Sequence, residues 1–105
     1  MGLVASQARI LMLTSRKSDL EFAMQQISQR RMMLAQATMS LAQTQMAAGP
    51  EAQEDPRSAM LQQVDKMLEM QSLQFQTQHK TVSTELESVQ KIIDKNIERS
   101  FKYVA

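Results

Sequence analysis

Two long stretches of this sequence contain no residue that breaks a helix. The breakers are confined to Gly2, Gly49, Pro50 and Pro56. The residues between them are mostly Ala, Met, Leu, Gln, Glu, Lys and Arg, all of which favour helix. The sequence therefore predicts an all-α fold, a long antiparallel hairpin of two helices that resembles a coiled coil. The helices are expected over about 6–48 and 56–102.

The segment between the two stretches has the residues of a turn. Gly49 can adopt the left-handed conformation that ends a helix, and Pro50 cannot continue the hydrogen-bond ladder. Asp55 suits an N-cap and Pro56 the first position of the next helix. We expect one domain over all 105 residues, with its turn at about 49–55.

Apolar residues recur every seven positions along the first predicted helix. They are Leu13, Leu20, Ile27, Leu34, Leu41 and Ala48, accompanied by Ile10 and Met24 three residues before a stripe position. The same companion position is polar at Lys17, Arg31, Thr38 and Gln45. A seven-residue repeat places one side of a helix against a partner helix, and polar companions weaken that seam.

The second predicted helix repeats the pattern. Its stripe consists of Leu61, Leu68, Phe75, Val82 and Val89, joined by Val64, Leu86, Ile93 and Ile97. Further apolar residues lie off the stripe of the first helix, namely Leu11, Phe22, Met32, Met33, Met39 and Met46. One antiparallel partner covers only one side of each helix, so this spread predicts more than one neighbour. The methionines have two interpretations, as filler of the hairpin's own core or as a surface for several different neighbours.

Residues that carry chemistry are few and isolated. His79 is the single histidine and the chain has no cysteine, so no companion ligands or nucleophile stand beside it. Asp65 with Glu69, and Asp94 with Glu98, form acidic pairs among lysines and arginines, which favours a solvated face. We therefore predict no enzyme, no catalytic residue, no metal and no cofactor.

Charge and hydropathy limit the partners. The net charge is +1, and the basic pairs Arg16-Lys17 and Arg30-Arg31 have no aromatic residues interleaved for base stacking, so a nucleic-acid partner is not expected. No apolar run is long enough to span a membrane, and the N-terminus lacks the apolar segment of a secretory signal. Export, if it occurs, requires a route without a cleaved signal.

The end of the chain is unusually apolar. Phe101 and Tyr103 are two of the four aromatic residues, and an unattached tail is normally polar. These rings dock either on the hairpin or on a neighbouring subunit, and we favour the neighbour.

The second half of the chain resembles the needle subunits of bacterial type III secretion systems. The resemblance rests on Asp55-Pro56 opening a helix, on the glutamines from Gln71 to Gln78 followed by Thr81-Val82, and on the run Val89 to Ile97. The first half resembles the N-termini of flagellar-type axial subunits and needle subunits, because short apolar residues alternate with Ser, Gln and Arg from Gly2 to Thr14 and from Ser18 to Arg31. Pro50 and Pro56 are farther apart than in the tight turn of that family. The resemblance implies a helical hairpin that is exported without a cleaved signal, through a secretion apparatus or with an export chaperone, and that assembles outside the cell.

The leading hypothesis is a structural subunit that polymerises with copies of itself into a helical filament, rod or needle of a secretion or surface appendage. The predicted self-assembly interface consists of Val82, Leu86, Val89, Ile93, Ile97, Phe101 and Tyr103. The alternative is a non-polymeric helical adaptor or export chaperone that binds a partner helix, with a cytoplasmic location.

Overall fold

The computed structural model describes residues 2–49 and 56–104, except the side chains of Tyr103 and Val104. It contains two helices, α1 (Leu3–Ala48) and α2 (Pro56–Val104). They pack antiparallel as an all-α hairpin, which confirms the predicted fold class. Both helices are slightly longer than predicted: α1 begins three residues earlier and α2 ends two residues later.

Local chemistry explains three of the helix ends. The carbonyl oxygen of Gly2 accepts a hydrogen bond from the amide nitrogen of Ser6 at 3.1 Å, so the helical hydrogen-bond ladder already starts at the first residues. At the other end of α1, Gly49 has a φ of 92°, and its amide donates to the carbonyl of Met46 at 3.3 Å. The predicted left-handed cap is therefore confirmed. Pro56 is the first residue of α2, as predicted, whereas the predicted turn residues Pro50 and Asp55 lie outside the described residues.

The chain divides into two compact units, and each contains a piece of both helices. The first unit combines Met1–Phe22 with Gln76–Ala105, and the second consists of Ala23–Phe75. The prediction of a single domain stays a prediction. Each unit is described below by itself.

The core of the first unit follows the predicted stripes. Its buried apolar side chains are Leu13, Leu20, Val82, Val89 and Ile93. One stripe position is occupied by a small polar residue: Ser6, seven positions before Leu13, has an exposed fraction of 0%. Its hydroxyl has no hydrogen-bond partner.

The core of the second unit is thinner. Ile27 and Leu68 are its buried apolar residues, flanked by stripe residues that are only half-buried: Leu34, Leu41, Leu61 and Phe75. The companion positions Arg31 and Gln45 are also half-buried. The polar companions thus lie in the seam between the helices, where they limit how much apolar surface the hairpin covers.

Candidate association surfaces

Polar residues connect the helices within each unit. In the first unit, Nε2 of His79 lies 3.0 Å from Oε1 of Glu21. A carboxylate only accepts hydrogen bonds, so Nε2 carries the proton of this contact. In the same unit, Nη2 of Arg9 lies 3.8 Å from Oε2 of Glu85. These contacts follow the antiparallel alignment of the helices, because the partner's number falls from 85 to 79 as the α1 number rises from 9 to 21.

In the second unit, Arg31 pairs with Asp65 across the seam, with 3.2 Å between Nε and Oδ1. Asp65, predicted together with Glu69 on a solvated charged face, is half-buried and bonded to the other helix, and 47% of its side chain remains exposed. His79 likewise lies half-buried in the seam of the first unit. Among residues 2–49 and 56–104, no three acidic or histidine side chains lie together as a metal site requires.

The residues of the predicted self-assembly interface separate into two groups. Val82, Val89 and Ile93 are buried in the core of the first unit, and Leu86 is half-buried. These four side chains pack within the hairpin, so in this conformation little of their surface is free for a neighbour. Ile97 and Phe101 are different, with exposed fractions of 50% and 76%. The side chain of Tyr103 lies outside the described residues, and contact with a second copy stays a prediction.

Ile97 and Phe101 line an open apolar pocket at the end of the first unit. The pocket has a volume of about 280 Å³, and its walls are Leu3, Asn96, Ile97, Ser100 and Phe101. Leu3 comes from the first turn of α1, so both helices contribute. An exposed phenylalanine beside an open apolar pocket is a typical contact site for another chain.

The second unit exposes most of the methionines. Met24 is half-buried at its companion position, and it fills the hairpin's own seam. Seven others in this unit are exposed: Met32, Met33, Met39, Met46, Met60, Met67 and Met70. Of the two interpretations left open by the sequence, core filling therefore holds for Met24, and the rest form a surface.

A groove runs along this surface between the two helices. It has a volume of about 660 Å³. One wall consists of Leu34, Ala35, Thr38, Met39 and Ala42 of α1, and the other includes Gln62, Lys66 and Glu69 of α2. The groove exists because Ala35 and Ala42 are too small to fill the space beside the seam. Sequence reasoning missed these two alanines, although their spacing from the methionines is helical.

Comparison of the chain with protein-family models, with curated proteins and with solved structures yields no match. Within the described residues, neither helix contains a segment long and apolar enough to cross a membrane.

Proposed function

We propose that this chain is a structural subunit that associates with copies of itself into a helical filament, rod or needle. One observation carries the proposal: large apolar side chains remain exposed on both helices, outside the seam that joins them. They include Leu11, Phe22, Met39, Met67, Leu73 and Phe101.

The hairpin leaves several large apolar side chains in water. Full burial of one such side chain contributes roughly 1.5–3 kcal/mol. Among the described residues of the second unit, Ile27 and Leu68 are the only large apolar ones that are buried, so the unit's own core supplies little stability. Contacts between copies therefore stabilise the hairpin and the assembly together.

Exposure on several sides supports a polymer rather than a closed pair. The apolar pocket at Phe101 belongs to the first unit and the groove at Met39 to the second, so each unit offers a contact of its own. A subunit with distinct, non-identical contact surfaces forms open helical assemblies when the rotation between copies does not close. The resemblance to needle and flagellar-type subunits supports the same proposal, and with it export without a cleaved signal and a location on the cell surface or outside the cell.

Negative-stain electron microscopy and analytical ultracentrifugation of the purified full chain, from about 1 to 500 μM, test the proposal. We expect concentration-dependent association and regular filaments or rods at the upper end, by mass action. A folded monomer throughout this range would disprove it. Immunodetection in the surface fraction of the source cells, with a cytoplasmic marker as control, tests the location.

The groove of the second unit also favours a second candidate, a helical adaptor or export chaperone. A groove lined by Met39 and by apolar and small residues fits the apolar face of a partner helix. In this case light scattering would find a small oligomer of defined size, and one partner would co-purify in a fixed ratio. The location would then be the cytoplasm.

A further inference from the structure

Beside the seam, the exposed side of α1 in the second unit carries a second heptad stripe, and Ala35, Met39 and Ala42 of this stripe also form part of the α1 wall of the groove. Its members are Ser28, Met32, Ala35, Met39, Ala42 and Met46. The interval between successive members alternates between four and three residues, and all six side chains are exposed. Such spacing is the pattern of a helix seam, and it specifies a second helix as the partner.

The stripe alternates between large and small side chains. Three methionines occupy one set of positions, and Ser28, Ala35 and Ala42 occupy the other. Alternation of this kind lets two surfaces interdigitate, because each large side chain enters the space beside a small one. Because one surface carries both the large and the small side chains, it is complementary to a second copy of itself.

Antiparallel pairing of two copies matches every large residue with a small one. With a two-fold axis beside Ala37, Met32 of each copy faces Ala42 of the other, and Met39 faces Ala35. Met46 then faces Ser28 in the same register. A two-fold contact between identical surfaces requires this reciprocity, in which residue i meets j and j meets i.

Charge supports the same occupant. Between Gln25 and Ala48 the charged residues are Arg30 and Arg31, and Arg31 is already paired with Asp65. The stripe itself carries only Met, Ala and Ser, and it is flanked on one side by Gln29, Gln36 and Gln43. An exposed helix face without charge fits another uncharged face, and methionine enrichment with charge depletion is typical of the centre of protein interfaces.

From these observations we infer that α1 binds α1 of a second copy, antiparallel and two-fold symmetric, along the stripe from Ser28 to Met46. This inference rests on the proposed self-association and assigns one of its contacts. The stripe is about 27 Å long at 1.5 Å per residue. A contact of that length between two helices buries on the order of 450 Å² per copy, which is below the roughly 800 Å² of a standard stable interface. The contact is therefore weak by itself and needs a further one to hold an assembly.

Two methionines provide a matched test. Met39 lies on the stripe and Met33 does not, yet both belong to α1 and have similar exposed fractions, 65% and 69%. A glutamate on the stripe loses its hydration when the copies meet. In sedimentation equilibrium we expect Met39→Glu to weaken association at least about tenfold and Met33→Glu to change it less than about threefold. Circular dichroism checks that both variants remain helical.

Disulfide trapping tests the direction of the pair and does not depend on an introduced charge. The chain has no cysteine, so a chain with Met32→Cys and a differently tagged chain with Ala42→Cys contain one thiol each. After mixing and mild oxidation, we expect the mixed disulfide at least about tenfold faster than either homodimer, because disulfides form only when Cβ atoms approach within about 4.5 Å. A Met33→Cys chain mixed with the Ala42→Cys chain is the control.

The outcomes separate this inference from the proposed function. If the chain associates but Met39→Glu and Met33→Glu behave alike, or if homodimeric disulfides dominate, the stripe is not the contact and self-association stands. If the unmodified chain stays monomeric up to about 500 μM, both proposals fall. Stoichiometric binding of a different protein's helix in the groove, without self-association, would also overturn the inference.

Discussion

Arg31 donates a hydrogen bond from its Nε to Oδ1 of Asp65 at 3.2 Å and thereby joins the two helices of the second unit across the seam. Both side chains are half-buried and occupy positions that an apolar seam would fill with Leu or Ile. The pair reduces the apolar contact between the helices but makes their alignment more specific. An arginine in the seam favours the alignment that places a carboxylate opposite it. Ion pairs that remain partly in water contribute only about 0.2–1 kcal/mol.

This geometry predicts that the pair stabilises less than an apolar replacement would. We expect Asp65→Ala to lower the free energy of unfolding by about 0.5–1 kcal/mol. Replacement of both Arg31 and Asp65 by Leu should instead raise it by about 1 kcal/mol, since both positions then add to the core. Urea unfolding at low protein concentration measures both changes. Lys66→Leu, at the exposed position next to Asp65, is the control. A double variant less stable than the original chain would contradict this expectation.

Ser6 is a further polar residue that weakens a seam, and it lies in the first unit. Its hydroxyl is fully buried and has no partner, and a buried unsatisfied polar group costs about 1–3 kcal/mol. We expect Ser6→Ala to raise the free energy of unfolding by about 1 kcal/mol in urea titrations. Ser15→Ala, an exposed serine of α1, reports the gain from helix propensity alone, about 0.5 kcal/mol. Equal gains from both substitutions would show that the Ser6 hydroxyl costs nothing.

The helix seam was predictable from sequence because burial in a helical pair repeats with a period that apolar residues reveal. Leu13, Leu20 and Ile27 were expected on one side of α1, and all three are buried. The early start of α1 was missed, since the sequence before Ser6 has no strong cap and the backbone begins its ladder at Gly2.

The polar members of the α2 seam were harder to predict. His79 lies seven positions and Asp65 twenty-one positions before Leu86, on the same seven-residue line as Leu86 and Ile93. Extension of that line toward the N-terminus of α2 would have placed both residues in the seam. A search for apolar periodicity alone passes over charged residues. The partners Arg31 and Glu21 depend on the alignment of the two helices, which no single-helix pattern contains.

The candidate surfaces were only partly predictable for a related reason. An apolar stripe shows that a surface is buried but not whether the same chain or another copy covers it. The sequence predicts a contact of Val82, Val89 and Ile93 with a neighbour, whereas all three are buried within the first unit. The groove was missed because small residues such as Ala35 and Ala42 carry little hydrophobic signal and act through the space they leave.

Gly49 ends α1 at a φ of 92°, a conformation that favours glycine. A Cβ added there meets nothing within 4 Å, so the cost of a side chain arises from the backbone alone. We expect Gly49→Ala to lower the free energy of unfolding by about 1 kcal/mol and Gly49→Asn by less, because asparagine tolerates the left-handed region. Thermal or urea unfolding measures the order of stability of the original chain and the two variants. Equal stability of the Ala variant and the original chain would mean that the cap contributes nothing.

Phe101 and Ile93 lie two turns apart on α2 and have opposite surroundings, with exposed fractions of 76% and 6%. Phe101→Ser should leave the free energy of unfolding of the dilute chain within about 0.5 kcal/mol and reduce association, because the ring lines the open pocket rather than the core. Ile93→Ser should lower the free energy of unfolding by about 2–4 kcal/mol, because it removes core surface and buries a hydroxyl. Pelleting or light scattering measures association, and urea unfolding at low concentration measures stability.

Lys102→Ser, beside Phe101 and also exposed, controls for a general effect of changes at this end. Unchanged association of the Phe101→Ser variant would remove the terminal pocket from the assembly contacts, and a loss of stability equal to that of Ile93→Ser would show that the ring belongs to the core.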